Sequence, residues 1–266
     1  MEPSIKKLFE RISSHRIVGA LGLVGSRARG TSQPSSSDWD TILITRKSAC
    51  LPQDQAIRQV SSIVEHELNL TPQISDDAVR FAFKSHLISV AVHTENMCND
   101  FTRQFSDGKI VHTEHKHWAI GGRLPEAYAG DLSLAKTFYD PQGVLTDCKK
   151  ALKSYPPLAQ QAIENFCGTE TKEKLKALKT ASAACSRYDN TVFCTLALAE
   201  ILRARVRFVF ARRGEYFAGF RSLPSEFLHQ DFVATRVLEH LRDPGLFPLD
   251  KCIDTCLARG GEQEYE

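Results

Sequence analysis

No CxxC pair occurs among the 8 cysteines of the chain, which stand at 50, 98, 148, 167, 185, 194, 252 and 256. Cys252 and Cys256 are spaced to meet on a helix face, but no His or Cys pair lies near enough in sequence to outline a zinc site. Scattered thiols of this kind read as small buried apolar residues in a reducing compartment. Long hydrophobic runs are missing too: nothing approaches the ~20 apolar residues of a membrane span. The N-terminal MEPSIKKLFERI carries acids and lacks the apolar segment of a secretion signal. The expectation is a cytoplasmic protein with no membrane partner. An excess of either charge is also absent. The net charge is +2, and up to Asp140 there are 16 basic and 16 acidic side chains. That balance excludes a basic tail or acidic arm, and it disfavours nucleic acid as a partner. There are no repeats and no low-complexity segments. What remains is an ordinary globular composition, 42% hydrophobic and 25% charged over 266 residues. That is enough for one large or two small domains.

The chain changes character near Asp140. Before it, helices and strands mix. Ile5, Leu8, Phe9 and Ile12 mark an amphipathic helix over Ser4–Ser14, with Ser4 as its N-cap. A strand follows Arg16 and ends at Val24, and a second runs Asp38–Ile44. Pro52 opens a helix over Leu51–Leu68. Val79–Val92 alternates as a β-hairpin turning at Lys84-Ser85-His86. Asn96–Phe105 reads as a short helix, and Leu134–Tyr139 as an apolar stretch ending in the turn Tyr139–Gly143. After that, Asp147–Phe166, Glu170–Tyr188, Thr191–Arg212, Pro224–Leu241 and Pro248–Arg259 all carry the helical period. Breaks are expected at Gly168, Asp189-Asn190, Gly214–Gly219 and Asp243-Pro244-Gly245. The fold class is therefore α+β: a small mixed-sheet domain over 1–140, then an all-helical bundle over 141–266.

The stretch LGLVGSRARGTSQPSSSDWDTILIT, Leu21 to Thr45, is the one place where a phosphate-holding turn meets paired acids. Gly25 lets the backbone approach a ligand closely. Ser26 offers a hydroxyl, and the free N–H groups that open a helix favour an anion. Arg27 and Arg29 add positive charge. On a strand, Asp38 and Asp40 point to one face and Trp39 to the other. Two like charges so close require a compensating cation or proton. An oxygen-only pair at this spacing suits Mg²⁺ (or Mn²⁺) shared with substrate phosphates. The arrangement can hold a triphosphate against metal, for attack of an acceptor oxygen on the α-phosphorus with pyrophosphate leaving.

Gly25-Ser26-Arg27-Ala28-Arg29-Gly30 followed by Ser37-Asp38-Trp39-Asp40-Thr41-Ile42-Leu43-Ile44 resembles the signature of the DNA polymerase beta-like nucleotidyltransferase superfamily. The spacing and the helical second half are similar to the small-molecule nucleotidyltransferases of aminoglycoside and lincosamide type. The resemblance covers about the first hundred residues. It implies that Gly25 and Ser26 hold the β- and γ-phosphates and that Asp38 and Asp40 hold metal. It implies ATP or another NTP as co-substrate and a small molecule as acceptor. The same chemistry on tRNA or on a protein, as in toxins and antitoxins of this kind, is the nearest alternative; a non-catalytic nucleotide-binding relative is another. The chain departs from the superfamily in one respect. A third acid is usual on a later central strand, yet Val79–Thr94 contains no Asp or Glu. A base is then sought elsewhere, and Glu200 and His93 are the two candidates.

Three further features carry less. His112, His115 and His117 do not share a face in a helix or a strand, so HTEHKH reads as a solvated loop. Arg203, Arg205, Arg207, Arg212 and Arg213 alternate with apolar residues. They read equally as a triphosphate clamp, a solvated face or an RNA contact. Tyr216, Phe217 and Phe220 in GEYFAGF either stack on a ligand or pack against the bundle.

Overall fold

The computed structural model describes residues 1–30, 38–49, 51–75, 77–109, 124–184, 191–217, 231–243 and 248–259, apart from the side chains of 183, 184, 191, 192 and 259. They fall into two compact units. One comprises Met1–Asp107 and Pro125–Ser154, the other Gly108–Leu124 and Tyr155–Glu266.

The first unit is built on six strands: β1 (Val18–Leu23), β2 (Trp39–Thr45), β3 (Gln73–Ile74), β4 (Ala78–Phe83), β5 (His86–Thr94) and β6 (Lys136–Tyr139). They lie in the order β3-β4-β5-β2-β1-β6, and only the β2–β5 pair is parallel. β1 and β2 are buried along most of their length, which is why their apolar runs are nearly continuous. α1 (Pro3–Ser13) and α3 (Gln53–Ser62, extended by one π-helical turn, Ile63–Glu67) cover one face. Ile5, Leu8, Phe9 and Ile12 of α1 join Trp39, Leu43, Ile88 and Val90 in a single core. α1 starts earlier than the Ser4 cap implied: Glu2 is its N-cap without a side-chain bond, and Pro3 opens it. A missing cap costs about 1 kcal/mol. Each large apolar side chain buried from that helix is worth about 1.5–3 kcal/mol, so packing decides.

The opposite face is covered toward one end by α4 (Glu95–Ser106), α5 (Pro125–Leu134) and α6 (Val144–Ala151). α6 lies so near β1 that a methyl on Gly22 would sit 2.7 Å from Leu145 Cδ2. Burial there pushes the Cys98 thiol up to about 12, so it stays protonated. The apolar stretch before Tyr139 is a true strand, β6, pairing with β1. Residues 141–154, read as the start of the helical half, belong instead with the sheet. The break between the units falls at Ser154/Tyr155, just before Pro156-Pro157.

The second unit holds α7 (Pro157–Ala184), α8 (Thr191–Arg212), α9 (Phe232–Arg242) and α10 (Leu249–Arg259). α7 and α8 form an antiparallel hairpin, and α9 and α10 close a core of Leu175, Leu178, Leu198, Ile201, Val233, Val237 and Ile253. The break expected at Gly168 does not occur: α7 runs through it. Glycine inside a helix costs ~1 kcal/mol, less than the hairpin packing returns. Cys252 and Cys256 share a hydrogen bond in this core. That bond, with burial, holds the Cys256 thiol above its ordinary range. The described cysteines are all free thiols. No described helix is long and apolar enough to cross a membrane.

Candidate active site

Val24 leaves β1 in extended conformation, and its N–H donates to Asp40 O at 2.9 Å. Gly25 then turns with φ +69° and begins a five-residue helix, α2 (Gly25–Arg29), which Gly30 ends at φ +77°. The turn packs directly on an acid. A methyl on Gly25 would lie 2.7 Å from Asp40 Oδ2 and 3.1 Å from Asp40 Cβ. The two halves of the motif, apart in sequence, thus meet at a point where only glycine fits. The start of α2 thus lies beside the Asp40 carboxylate.

Asp38 precedes β2 and is exposed; Asp40 is the second residue of the strand and is half-buried. Trp39 turns inward, 4% exposed, edge-on to Phe9 with ring centroids 6.3 Å apart. β2 is therefore gripped from below by the core while its even-numbered face carries the acids.

Register places the neighbours of Asp40. It pairs with Ser89 on β5, and Ser89 pairs with Arg80 on β4. The residue beside Asp40 on the central strand is thus a serine. Among the described residues, no three His, Cys, Asp or Glu side chains gather as a metal site. Two carboxylates at a strand's open end, one of them seated against a glycine that spares it a clash, still suit a hard divalent cation. Such an ion takes a couple of protein oxygens and fills its remaining positions with water and phosphate.

The arginines of the turn already have structural duties. Arg27 Nε donates to Asp38 O at 3.1 Å, and its guanidinium lies 4.2 Å above the Trp39 ring. Lys136 Nζ donates to Arg27 O at 3.3 Å. Arg29 Nη1 pairs with Asp131 Oδ1 on α5 at 3.3 Å. Asp131 lies 102 residues along, so no local signal could have revealed it.

Of the candidate bases, His93 is buried with its ring centroid 5.1 Å from that of Tyr128. It stands four residues beyond Ser89 on β5, or about 13 Å along the strand. That is too far for a direct proton transfer at Asp40. Glu200 is on α8 in the second unit, where its carboxylate accepts from Lys174.

The helical unit answers two open readings in part. Arg205 forms a bidentate pair with Asp231, at 3.1 and 2.6 Å, and stacks 4.2 Å from the Phe208 ring. Arg207 is 1% exposed, over Phe166. These two arginines are part of the bundle's interior. Tyr216 packs on Tyr155 and Phe217 on Phe210, with ring centroids 4.8 and 5.2 Å apart. These two residues of GEYFAGF thus pack against the bundle. The three histidines of HTEHKH and Phe220 lie outside the described residues.

No protein-family model matches the sequence. No curated protein matches it either. Among solved structures, the chain is similar to a nucleotidyltransferase-like protein from Exiguobacterium sibiricum 255-15. The TM-score is 0.51 at 11% identity, over 97% of this chain and 72% of that one. The likeness spans both units and establishes a nucleotidyltransferase-like fold: a mixed sheet followed by a helical region.

Proposed function

We propose that the protein is a metal-dependent nucleotidyltransferase that moves a nucleoside monophosphate, AMP from ATP, to a hydroxyl of a small molecule. The observation that carries this reading is the contact of Gly25 with the Asp40 carboxylate. That contact sets a turn suited to phosphate and a pair of acids suited to metal where one ligand can touch both. Gly25 and Ser26 hold the β- and γ-phosphates, and Asp38 and Asp40 hold Mg²⁺ or Mn²⁺. Arg27 and Arg29 add positive potential to the turn they also anchor. Held there, the cation would supply neutralisation of charge on the phosphates and the leaving group. The acceptor oxygen bonds to the α-phosphorus, the bond from the α-phosphorus to the α,β-bridging oxygen breaks, and pyrophosphate departs. The hydroxyl proton leaves as the new bond forms, to a base or to solvent. The nucleotidyltransferase-like neighbour and the motif both support this chemistry.

The test is pyrophosphate release from ATP and Mg²⁺ over a panel of hydroxylated acceptors. D38N and D40N are each expected to lower it by about 10²-fold or more. Unchanged turnover in D38N and D40N would sink the proposal.

Ser89 beside Asp40 favours one rival, a nucleotide-binding relative without catalysis. That protein would bind Mg–ATP and never release pyrophosphate.

A further inference from the structure

We infer that Arg80 is a specificity residue that selects acceptors bearing an anionic group, a carboxylate or a phosphate; this rests on the nucleotidyltransferase reading above. The inference comes from the row that strand pairing builds across the sheet. Asp40 pairs with Ser89 and Ser89 with Arg80. Directly paired residues present their side chains to the same face, so the guanidinium shares the face of the acids. The backbone of Arg80 stands two strand spacings, about 10 Å, from that of Asp40. The turn at Gly25 follows β1, on the other side of β2. Triphosphate grip and Arg80 therefore flank the acids from opposite sides. What lies over β5 and β4 is then the acceptor rather than the phosphates.

That part of the face is open. Arg80 and Ala82 are exposed, Ser89 is half-buried and Leu87 is 42% exposed. In β4 the residues of the other face, Val79 and Phe81, are buried in the core. Ala82 and Leu87 make a low apolar floor, Ser89 offers a hydroxyl, and Arg80 supplies the positive charge. The strands contribute no carboxylate, since Val79–Thr94 contains none. A polycationic acceptor would meet a like charge at Arg80. A hydroxylated carboxylate or phosphate would place its anion on the guanidinium and its hydroxyl toward the α-phosphorus.

The test uses the full chain saturated with a non-hydrolysable ATP analogue and Mg²⁺. Glycerol 3-phosphate and glycerate are titrated by calorimetry, with glycerol as their uncharged parent. Binding of the two anions and not of glycerol is expected. R80E should weaken the anions roughly 10-fold or more, as loss of a charged hydrogen bond does, and R80K should restore most of it. The affinity for the ATP analogue should be the same in all three proteins. Equal binding of glycerol, no binding of the anions, or anion binding unmoved by R80E would overturn the inference. So would a loss of ATP-analogue affinity in R80E, which would place Arg80 in the nucleotide grip. Wild-type protein that fails to bind the analogue removes the underlying function as well. Analogue binding with no anion preference removes this inference alone.

Discussion

Gly25 and Asp40 show how much of the site a single residue choice controls. Alanine at position 25 meets two obstacles. Its φ of +69° lies in the left-handed region, which costs an L-residue about 1–2 kcal/mol. Its methyl would also displace the Asp40 carboxylate, only 2.7 Å away. G25A is therefore expected to unfold about 1–2 kcal/mol more easily in urea, and to lose pyrophosphate release by a larger factor than that instability explains. Wild-type turnover in G25A would contradict the placement. At this scale the motif was legible because its chemistry is local: Gly-Ser and Asp-x-Asp announce themselves by type and spacing. The residues around it were not. Ser89 and Arg80 line up with Asp40 through register, and no local pattern reveals which residue of one strand faces which of another. His93 was visible as a strand-end imidazole, but its burial beneath Tyr128 depends on α5, which comes later in the chain.

Elements show the same division. Helices with a strong apolar stripe were readable, α1 and α3 among them, because the period of 3.6 is a property of the sequence alone. Gly168 misled for a physical reason. Its cost is local, whereas the packing that overrides it comes from α8 and α10, distant in the chain. The basic run on α8 was equally ambiguous until a partner appeared. Asp231 caps α9 by accepting from Ala234 N at 2.8 Å and also pairs with Arg205. These side chains are only 6% and 12% exposed. D231A would remove the cap and strand a nearly buried guanidinium, so we expect a loss of about 3 kcal/mol or more by urea unfolding. D231N keeps an acceptor for the cap and should lose less. A loss below about 1 kcal/mol in D231A would show that the pair is dispensable.

At the scale of the molecule, the sequence supported a mixed-sheet domain followed by helices, and the fold agrees. The order of elements carried that reading, because a parallel β2–β5 pair needs a long crossover and the second half has no strand pattern. The point of division was less legible. A turn such as Tyr139–Gly143 resembles a linker in composition, yet β6 pairs with β1 just before it and α6 packs against β1 just after. The acceptor is the least legible feature, since it depends on a surface that several elements assemble. The central claim concerns which phosphorus is attacked, and position-specific labelling addresses it directly. ATP labelled at the α-phosphorus or at the γ-phosphorus is incubated with the protein, Mg²⁺ and the acceptor panel. The account predicts α-label in the modified acceptor and γ-label released only as pyrophosphate. Transfer of γ-label to the acceptor, or Mg–ATP binding with no transfer of either label, would contradict it.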